Sequence, residues 1–166
     1  MRGYPERQTA EMNEIDRLLR LVQAQGHDVW IGGPASSAAV TELQESIGVA
    51  IPNSLHAFLT TYGALGVYDN FLSGIIKNLP LAKTAGGIYG DTCLLREDSN
   101  VPPKLWAIRP HEDGAYCLDI SHPTNSGEFA IVNYEHGSHQ HDTTLAETYE
   151  EFVCKWFLHG WTTEPA

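Results

Sequence analysis

The chain has 166 residues, of which 42% are hydrophobic and 19% are charged, and its formal net charge is −11. This composition is typical of a folded globular protein rather than a disordered chain, and the length suits a single domain. No stretch approaches the ~18 consecutive apolar residues of a membrane span, and no signal-peptide pattern opens the sequence. We therefore expect a cytoplasmic protein without a membrane partner, with its three widely spaced cysteines reduced.

The negative charge is concentrated in the last third of the chain. Residues 1–109 contain 11 acidic and 9 basic side chains, whereas residues 110–166 contain 10 acidic side chains and a single basic one, Lys155. Such a surface would repel the phosphates of a nucleic acid, so we predict no nucleic-acid partner. It favours a basic protein partner, because complementary fields speed encounter. A solvated surface that only keeps the protein soluble is the alternative reading.

Three helices are predicted in the first 62 residues. The first covers residues 11–25, with apolar residues at helical spacing from Ile15 to Val22, and is followed by a linker over residues 26–35. The second begins at Ser36 or Ser37, either of which can cap it. The third covers residues 52–62, because Pro52 suits a helix start and Gly63 suits the left-handed position after a helix end.

Strands are predicted to follow the helices. The first covers residues 71–75, and an exposed connection rich in glycine and polar residues is expected over residues 77–92. A short helix around residues 94–95 should end before two consecutive prolines. Three further segments, KLWAIR, AYCLDI and EFAIVNY, are bounded by turn residues such as Asp113-Gly114 and read as an antiparallel meander.

A C-terminal amphipathic helix completes the predicted fold. Thr144 and Glu147 match a capping box, in which a threonine hydroxyl and a glutamate carboxylate satisfy free backbone N–H groups at a helix start. An apolar stripe follows, consisting of Leu145, Tyr149, Phe152, Val153 and Trp156. The predicted fold class is thus α+β, a single domain with one antiparallel meander sheet of four to six strands and helices packed on one side.

One histidine-rich segment could carry chemistry. His136, His139 and His141 lie between Glu135 and Asp142, and imidazole and carboxylate groups are ligands for zinc. All three histidines fall in a predicted loop, whereas working metal sites are held by rigid elements with oriented imidazoles. We therefore predict a solvated loop, no metal, no cofactor and no catalytic residue, and keep a metal-dependent enzyme as the least favoured alternative.

The segment of residues 43–75 carries a family resemblance. It contains a helix ending at Ile47-Gly48, the pair Ile51-Pro52, an aromatic helix end through Tyr62-Gly63, and Gly74-Ile75. In this order and spacing the pattern resembles the SUKH superfamily, and the likeness continues through a strand near Trp106 to the last helix. We predict a motif-bearing core over residues 36–158, preceded by a helix and linker over residues 1–35.

The resemblance implies a non-enzymatic immunity protein that binds and neutralises a bacterial toxin domain, commonly a nuclease. A scaffold or regulatory module for an endogenous protein is the alternative, and the chain is expected to be a monomer or homodimer. The charge distribution places the expected contact in the C-terminal half, with Tyr134 as an exposed aromatic anchor. The predicted partner-binding residues are Glu112, Asp113, Glu128, Tyr134, Glu135 and Asp142.

Overall fold

The structure, a computed structural model, describes residues 5–124, 126–137 and 144–162, with side chains from residue 14 onward. Within these residues lie five α-helices and seven strands, which confirms the α+β class. In chain order they are α1 (Pro5–Ala24), β1 (Val29–Ile31), α2 (Ser37–Ile47), α3 (Asn53–Thr61), β2 (Leu65–Val67), β3 (Asn70–Leu72), α4 (Ile88–Ser99), β4 (Leu105–His111), β5 (Gly114–Pro123), β6 (Phe129–Glu135), β7 (Thr144–Ala146) and α5 (Tyr149–Phe152).

The C-terminal strands form the predicted antiparallel meander, in the order β4-β5-β6-β7. Alternate residues point to opposite faces: Trp106 and Ile108 belong to the main core with α1, α3 and α5, whereas Leu105 and Ala107 belong to a second apolar cluster. Helix α4 covers this second face, where the Thr92 hydroxyl accepts a hydrogen bond from the Ala107 N–H at 2.9 Å. The expectation that helices cover only one side of the sheet is therefore wrong.

The strands form two sheets instead of the single one that was expected, because β1-β2-β3 make a separate three-stranded sheet in addition to the meander. Strand β1 lies in the segment predicted to be a linker, and β3 ends before the predicted strand end at Ile75. Each of these strands has three residues, which is too short for an alternating pattern to show in the sequence. They form because Val29–Ile31 pairs with residues 65–67, more than 30 positions away.

The first residues of α4 and of the last helix also differ from the prediction. Helix α4 begins at Ile88, inside the segment predicted to be an exposed connection, and buries Asp91 and Thr92. The predicted capping box at Thr144 is wrong, because residues 144–146 pair with β6 as strand β7. The same T-x-x-E spacing recurs four residues later, where the Thr148 hydroxyl accepts from the N–H of Glu151 at 3.0 Å and caps α5.

The apolar stripe of the last helix is shifted by a change of helix type. After α5 the chain continues as a π-helix over Val153–Leu158, in which each turn takes an additional residue. Phe152 and Phe157, five residues apart, are both buried, whereas Trp156 is 48% exposed. The prediction that Trp156 packs in the core is therefore wrong, while the predicted burial of Tyr149 and Val153 is confirmed.

Three glycines allow backbone segments to touch where α3 ends. Gly63 has a left-handed φ of 71°, and a Cβ atom on it would lie 1.9 Å from the carbonyl oxygen of Gly33. A Cβ atom on Gly74 would lie 1.8 Å from the carbonyl oxygen of Gly63. The Ile75 N–H donates to that same Gly63 oxygen at 2.9 Å. The end of α3 is thus joined directly to the loop after β1 and to the segment after β3.

Replacing Gly63 by alanine should reduce the free energy of unfolding by at least about 2 kcal/mol, because both the left-handed φ and the nearby backbone oxygen oppose a side chain. Urea unfolding followed by circular dichroism measures this loss. The matched control is Gly160→Ala, since a Cβ atom there meets nothing within 4 Å. Equal stability of the two variants would contradict the packing described for Gly63.

The position of the helix cap is tested by two threonine variants. Thr148→Ala should lower the free energy of unfolding by about 1 kcal/mol, because it leaves the Glu151 N–H without its side-chain acceptor. Thr144→Ala, at an exposed strand position, should change it by less than about 0.5 kcal/mol. A larger loss from Thr144→Ala than from Thr148→Ala, in parallel thermal unfolding experiments, would restore the capping box predicted from the sequence.

Candidate partner-binding surface

Three of the predicted carboxylates come together at one end of the four-stranded sheet. Glu112 and Asp113 form the two-residue turn between β4 and β5. Glu135, at the end of β6, lies opposite Gly114 of β5. The His136 N–H donates to the Asp113 carbonyl oxygen at 2.9 Å and holds the end of β6 against this turn. All three side chains are exposed. We call Glu112, Asp113 and Glu135 the acidic sheet end; their binding role remains a prediction.

Glu128 is not an exposed charge, contrary to the prediction. It is only 6% exposed, and its carboxylate accepts hydrogen bonds from the hydroxyl and, at 3.3 Å, the N–H of Ser54 in the first turn of α3. Pro52, at the cap position of α3, provides no side-chain cap. A carboxylate is stabilised at a helix N-terminus, where N–H groups are free and the helix dipole is positive. Glu128 therefore caps α3 from the turn before β6.

Tyr134 is likewise buried, so the prediction of an exposed aromatic anchor at this position is wrong. Its side chain is 1% exposed and belongs to the apolar cluster beneath α4. The Tyr134 hydroxyl donates to the carbonyl oxygen of Ser99 at 2.9 Å, at the last residue of α4. Its polar end thus fastens the helix to the sheet, as buried tyrosines usually do.

The histidine segment is described only in part. His136 is half-buried, whereas His139, His141 and Asp142 lie outside the described residues. Among the side chains that the structure describes, no group of three or more His, Cys, Asp or Glu residues is arranged to hold a metal ion.

Burial raises the pKa of the Cys117 thiol to about 12, so this cysteine stays protonated at neutral pH and is a poor nucleophile.

The structure adds a surface that sequence reasoning missed. Trp30 on β1 and Phe71 on β3 are 42% and 45% exposed, and their rings meet edge to face with centroids 5.9 Å apart. Beside them opens a cavity of about 410 Å³, which we call the aromatic pocket. Its lining includes Trp30, Asp69, Phe71, Leu72, Asp91 and Pro110.

The aromatic pocket has acidic groups among its apolar walls. Asp91, in the first turn of α4, is 7% exposed; its carboxylate accepts from the Ser73 hydroxyl at 2.6 Å and from the Gly86 N–H at 3.2 Å. Burial raises the pKa of Asp91, although the hydrogen bonds from Ser73 and Gly86 oppose the rise. Asp69 is exposed in the turn between β2 and β3. Among the described residues that line the pocket there is no lysine or arginine.

The aromatic pocket and the acidic sheet end are neighbours. Pro110, which lines the pocket, lies on β4 two residues before Glu112, a distance of about 7 Å along a strand. The guanidinium of Arg109, the residue before Pro110, donates to the Asn70 Oδ1 at 3.2 Å and packs over the rings of Tyr116 and Phe157, and it does not line the pocket. One continuous surface therefore combines exposed aromatic rings with carboxylates on two sides.

A weak signal in the sequence pointed to this surface. Trp30 stands in a segment rich in glycine, GHDVWIGGPA, without helical or alternating apolar neighbours that would bury it. A large aromatic residue without a packing pattern is a candidate for an exposed anchor. The pairing of Trp30 with Phe71 could not be read in the same way, because it depends on two strands 40 residues apart meeting through β2.

Comparison with known families assigns the chain to a superfamily. Residues 15–158 match the family SUKH_5, described as SMI1-KNR4 cell-wall. The chain belongs to the SUKH superfamily. Members of this superfamily are generally non-catalytic immunity or regulatory modules. The comparison with curated proteins finds no match for the chain. None of the described helices of this SUKH protein combines the length and apolar character needed to cross a membrane.

The structural role assigned to Glu128 predicts an effect on stability. Glu128→Ala should lower the free energy of unfolding by about 2–3 kcal/mol, because it leaves the buried Ser54 N–H and hydroxyl without an acceptor. Glu128→Gln, which keeps an acceptor oxygen, should cost less. Glu135→Ala, at an exposed position, serves as the control and should stay within about 0.5 kcal/mol of the parent. Urea denaturation of the three variants decides between a cap and a surface charge.

Proposed function

We propose that this SUKH protein is a non-enzymatic immunity protein that binds and neutralises a cognate toxin domain in the cytoplasm. We further propose that the toxin is basic and of the nuclease type. The superfamily supports a protein-binding role. The observation that carries the proposal is the exposed Trp30–Phe71 pair at an acidic pocket, beside the acidic sheet end.

The aromatic pair has the character of an interface anchor. Trp and Tyr are enriched among the few residues that supply most of the energy of a protein interface, and large exposed apolar side chains mark such surfaces. Edge-to-face contact holds Trp30 and Phe71 against each other before a partner arrives, which reduces the entropy lost on binding.

The surrounding charges favour a basic partner. Glu112, Asp113 and Glu135 are exposed at the sheet end, and Asp69 is exposed at the pocket. A nuclease must hold the phosphates of its substrate, so its active-site surface is basic. An acidic protein covering that surface would be guided to it by the opposite field and would exclude the nucleic acid.

Capture with tagged protein tests the proposal. The bait should recover a basic toxin domain from the native cell extract at near-equal stoichiometry, and the purified domain should lose its nuclease activity when one equivalent of this protein is added. Trp30→Ala should weaken the complex by about 30-fold, as expected for a central anchor. Trp156→Ala is the matched control, because Trp156 is 48% exposed, similar to the 42% of Trp30, but lies on the C-terminal helical segment.

The electrostatic part is tested with a double charge reversal. Glu112→Lys with Asp113→Lys should slow association by about tenfold at low salt and flatten its salt dependence. Glu42→Lys with Glu45→Lys, on exposed positions of α2, changes the net charge equally and is the control. Recovery of a resident cellular protein instead of a toxin would favour the scaffold function, and equal effects of the two double variants would contradict the assigned surface.

A further inference from the structure

The interior of the aromatic pocket places a buried carboxylate among apolar walls. Asp91 is 7% exposed, whereas the walls include the aromatic rings of Trp30 and Phe71 and the side chain of Leu72. The cavity of about 410 Å³ lies open between these groups and the exposed Asp69. This combination differs from an ordinary apolar groove, because a purely apolar occupant would leave the carboxylates without a partner of opposite charge.

Asp91 is hydrogen-bonded in this chain only to neutral groups that the structure describes. Its donors are the Ser73 hydroxyl and the Gly86 N–H. The described ion pairs of the protein join Glu14 to Arg17 and Glu151 to Lys155, both far from the pocket in sequence. An ionised carboxylate has about four acceptor sites, so capacity remains for a cationic donor that enters the cavity.

The walls favour one kind of cation. A guanidinium group is planar, stacks on aromatic faces and is more weakly hydrated than an ammonium group, so it loses less on leaving water for an apolar cavity. Its several N–H donors can also reach two carboxylates at once. A lysine ammonium group would also neutralise the carboxylates. However, it is not planar and cannot stack on the aromatic rings, and it is more strongly hydrated, so it loses more on entering the cavity.

We infer that the aromatic pocket receives an arginine side chain of the basic protein partner, hydrogen-bonded to Asp69 and Asp91 and packed against Trp30. The identity of the partner rests on the proposed function, but the preference of the pocket for a guanidinium group is a property of this chain alone. The arginine would be the partner's central anchor. A guanidinium group that leaves water needs carboxylates as partners, which accounts for Asp69 and Asp91 among the apolar side chains of the pocket.

A small-molecule titration tests the preference without any toxin. Ethylguanidinium is added to the ¹⁵N-labelled protein at constant ionic strength, and the shifts of the Gly86 and Ser73 amides and the Trp30 indole N–H are followed. We expect saturable shifts with a dissociation constant on the order of 1–10 mM, as for a ligand of a few atoms. N-ethylurea, similar in shape but neutral, should bind at least about tenfold more weakly, since it lacks the charge-assisted hydrogen bonds.

Variants locate the response. Asp69→Asn and Asp91→Asn should each weaken the binding of ethylguanidinium by about five- to tenfold, and Trp30→Ala should weaken it comparably. Asp69 is exposed, so Asp69→Asn keeps the test valid if loss of the buried Asp91 carboxylate disturbs the fold. Glu45→Gln removes an equal charge on α2 and should leave the titration unchanged.

Equal shifts from ethylguanidinium and N-ethylurea, or a titration unaffected by Asp69→Asn, would overturn the inference. Tighter binding of propylammonium than of ethylguanidinium would overturn the choice of arginine. These outcomes do not touch the proposed function, which the capture experiment decides separately. Conversely, failure to capture a toxin together with a guanidinium response that depends on Asp69 would contradict the proposed function and leave the cation preference of the pocket in place.

Discussion

The close approach of backbone at the end of α3 is the constraint on which the arrangement of this protein depends. Gly63 and Gly74 allow three chain segments to lie within hydrogen-bonding distance, with no side chain between them. This contact sets β1 and β3 on either side of β2. Trp30 and Phe71 meet because their strands are placed in this way, so the aromatic pocket is a consequence of backbone packing rather than of local sequence.

The carboxylates of the chain illustrate that net charge and surface charge are different quantities. The C-terminal third is strongly acidic in sequence, yet Glu128 caps a helix and Asp119 is 5% exposed. Glu112, Asp113 and Glu135, by contrast, are exposed because they occupy a tight turn and the strand end opposite it. The net charge of −11 therefore does not describe the electrostatic field that a partner meets, because part of the negative charge is buried and Glu112, Asp113 and Glu135 concentrate exposed charge at one end of the sheet.

The two parts of the proposed contact surface have different physical roles. Exposed charges act over a distance of about 10 Å at moderate salt and guide encounter, whereas the aromatic rings act only on contact and supply most of the binding energy. Pro110 lines the aromatic pocket and lies two residues before Glu112, so the charges that guide a partner and the rings that bind it are on the same side of the molecule. Asp91 belongs to neither category, because it is a carboxylate buried among apolar groups.

Regular amphipathic segments and turn chemistry were sufficient to predict the helices α1 to α3, the hairpin at Asp113-Gly114, the strands of the meander and the α+β class, because single helices, strands and turns depend on neighbours within about ten residues. The family-bearing segment around Pro52 and Gly63 was readable for the same reason. Tertiary structure alone decided which of two T-x-x-E capping patterns begins the last helix. The first, at Thr144, lies in strand β7, which pairs with β6, so the helix begins at the second, Thr148. It also decided that Glu128 and Tyr134 are buried, and that Trp30 faces Phe71, because burial and long-range pairing depend on residues that the local pattern does not contain.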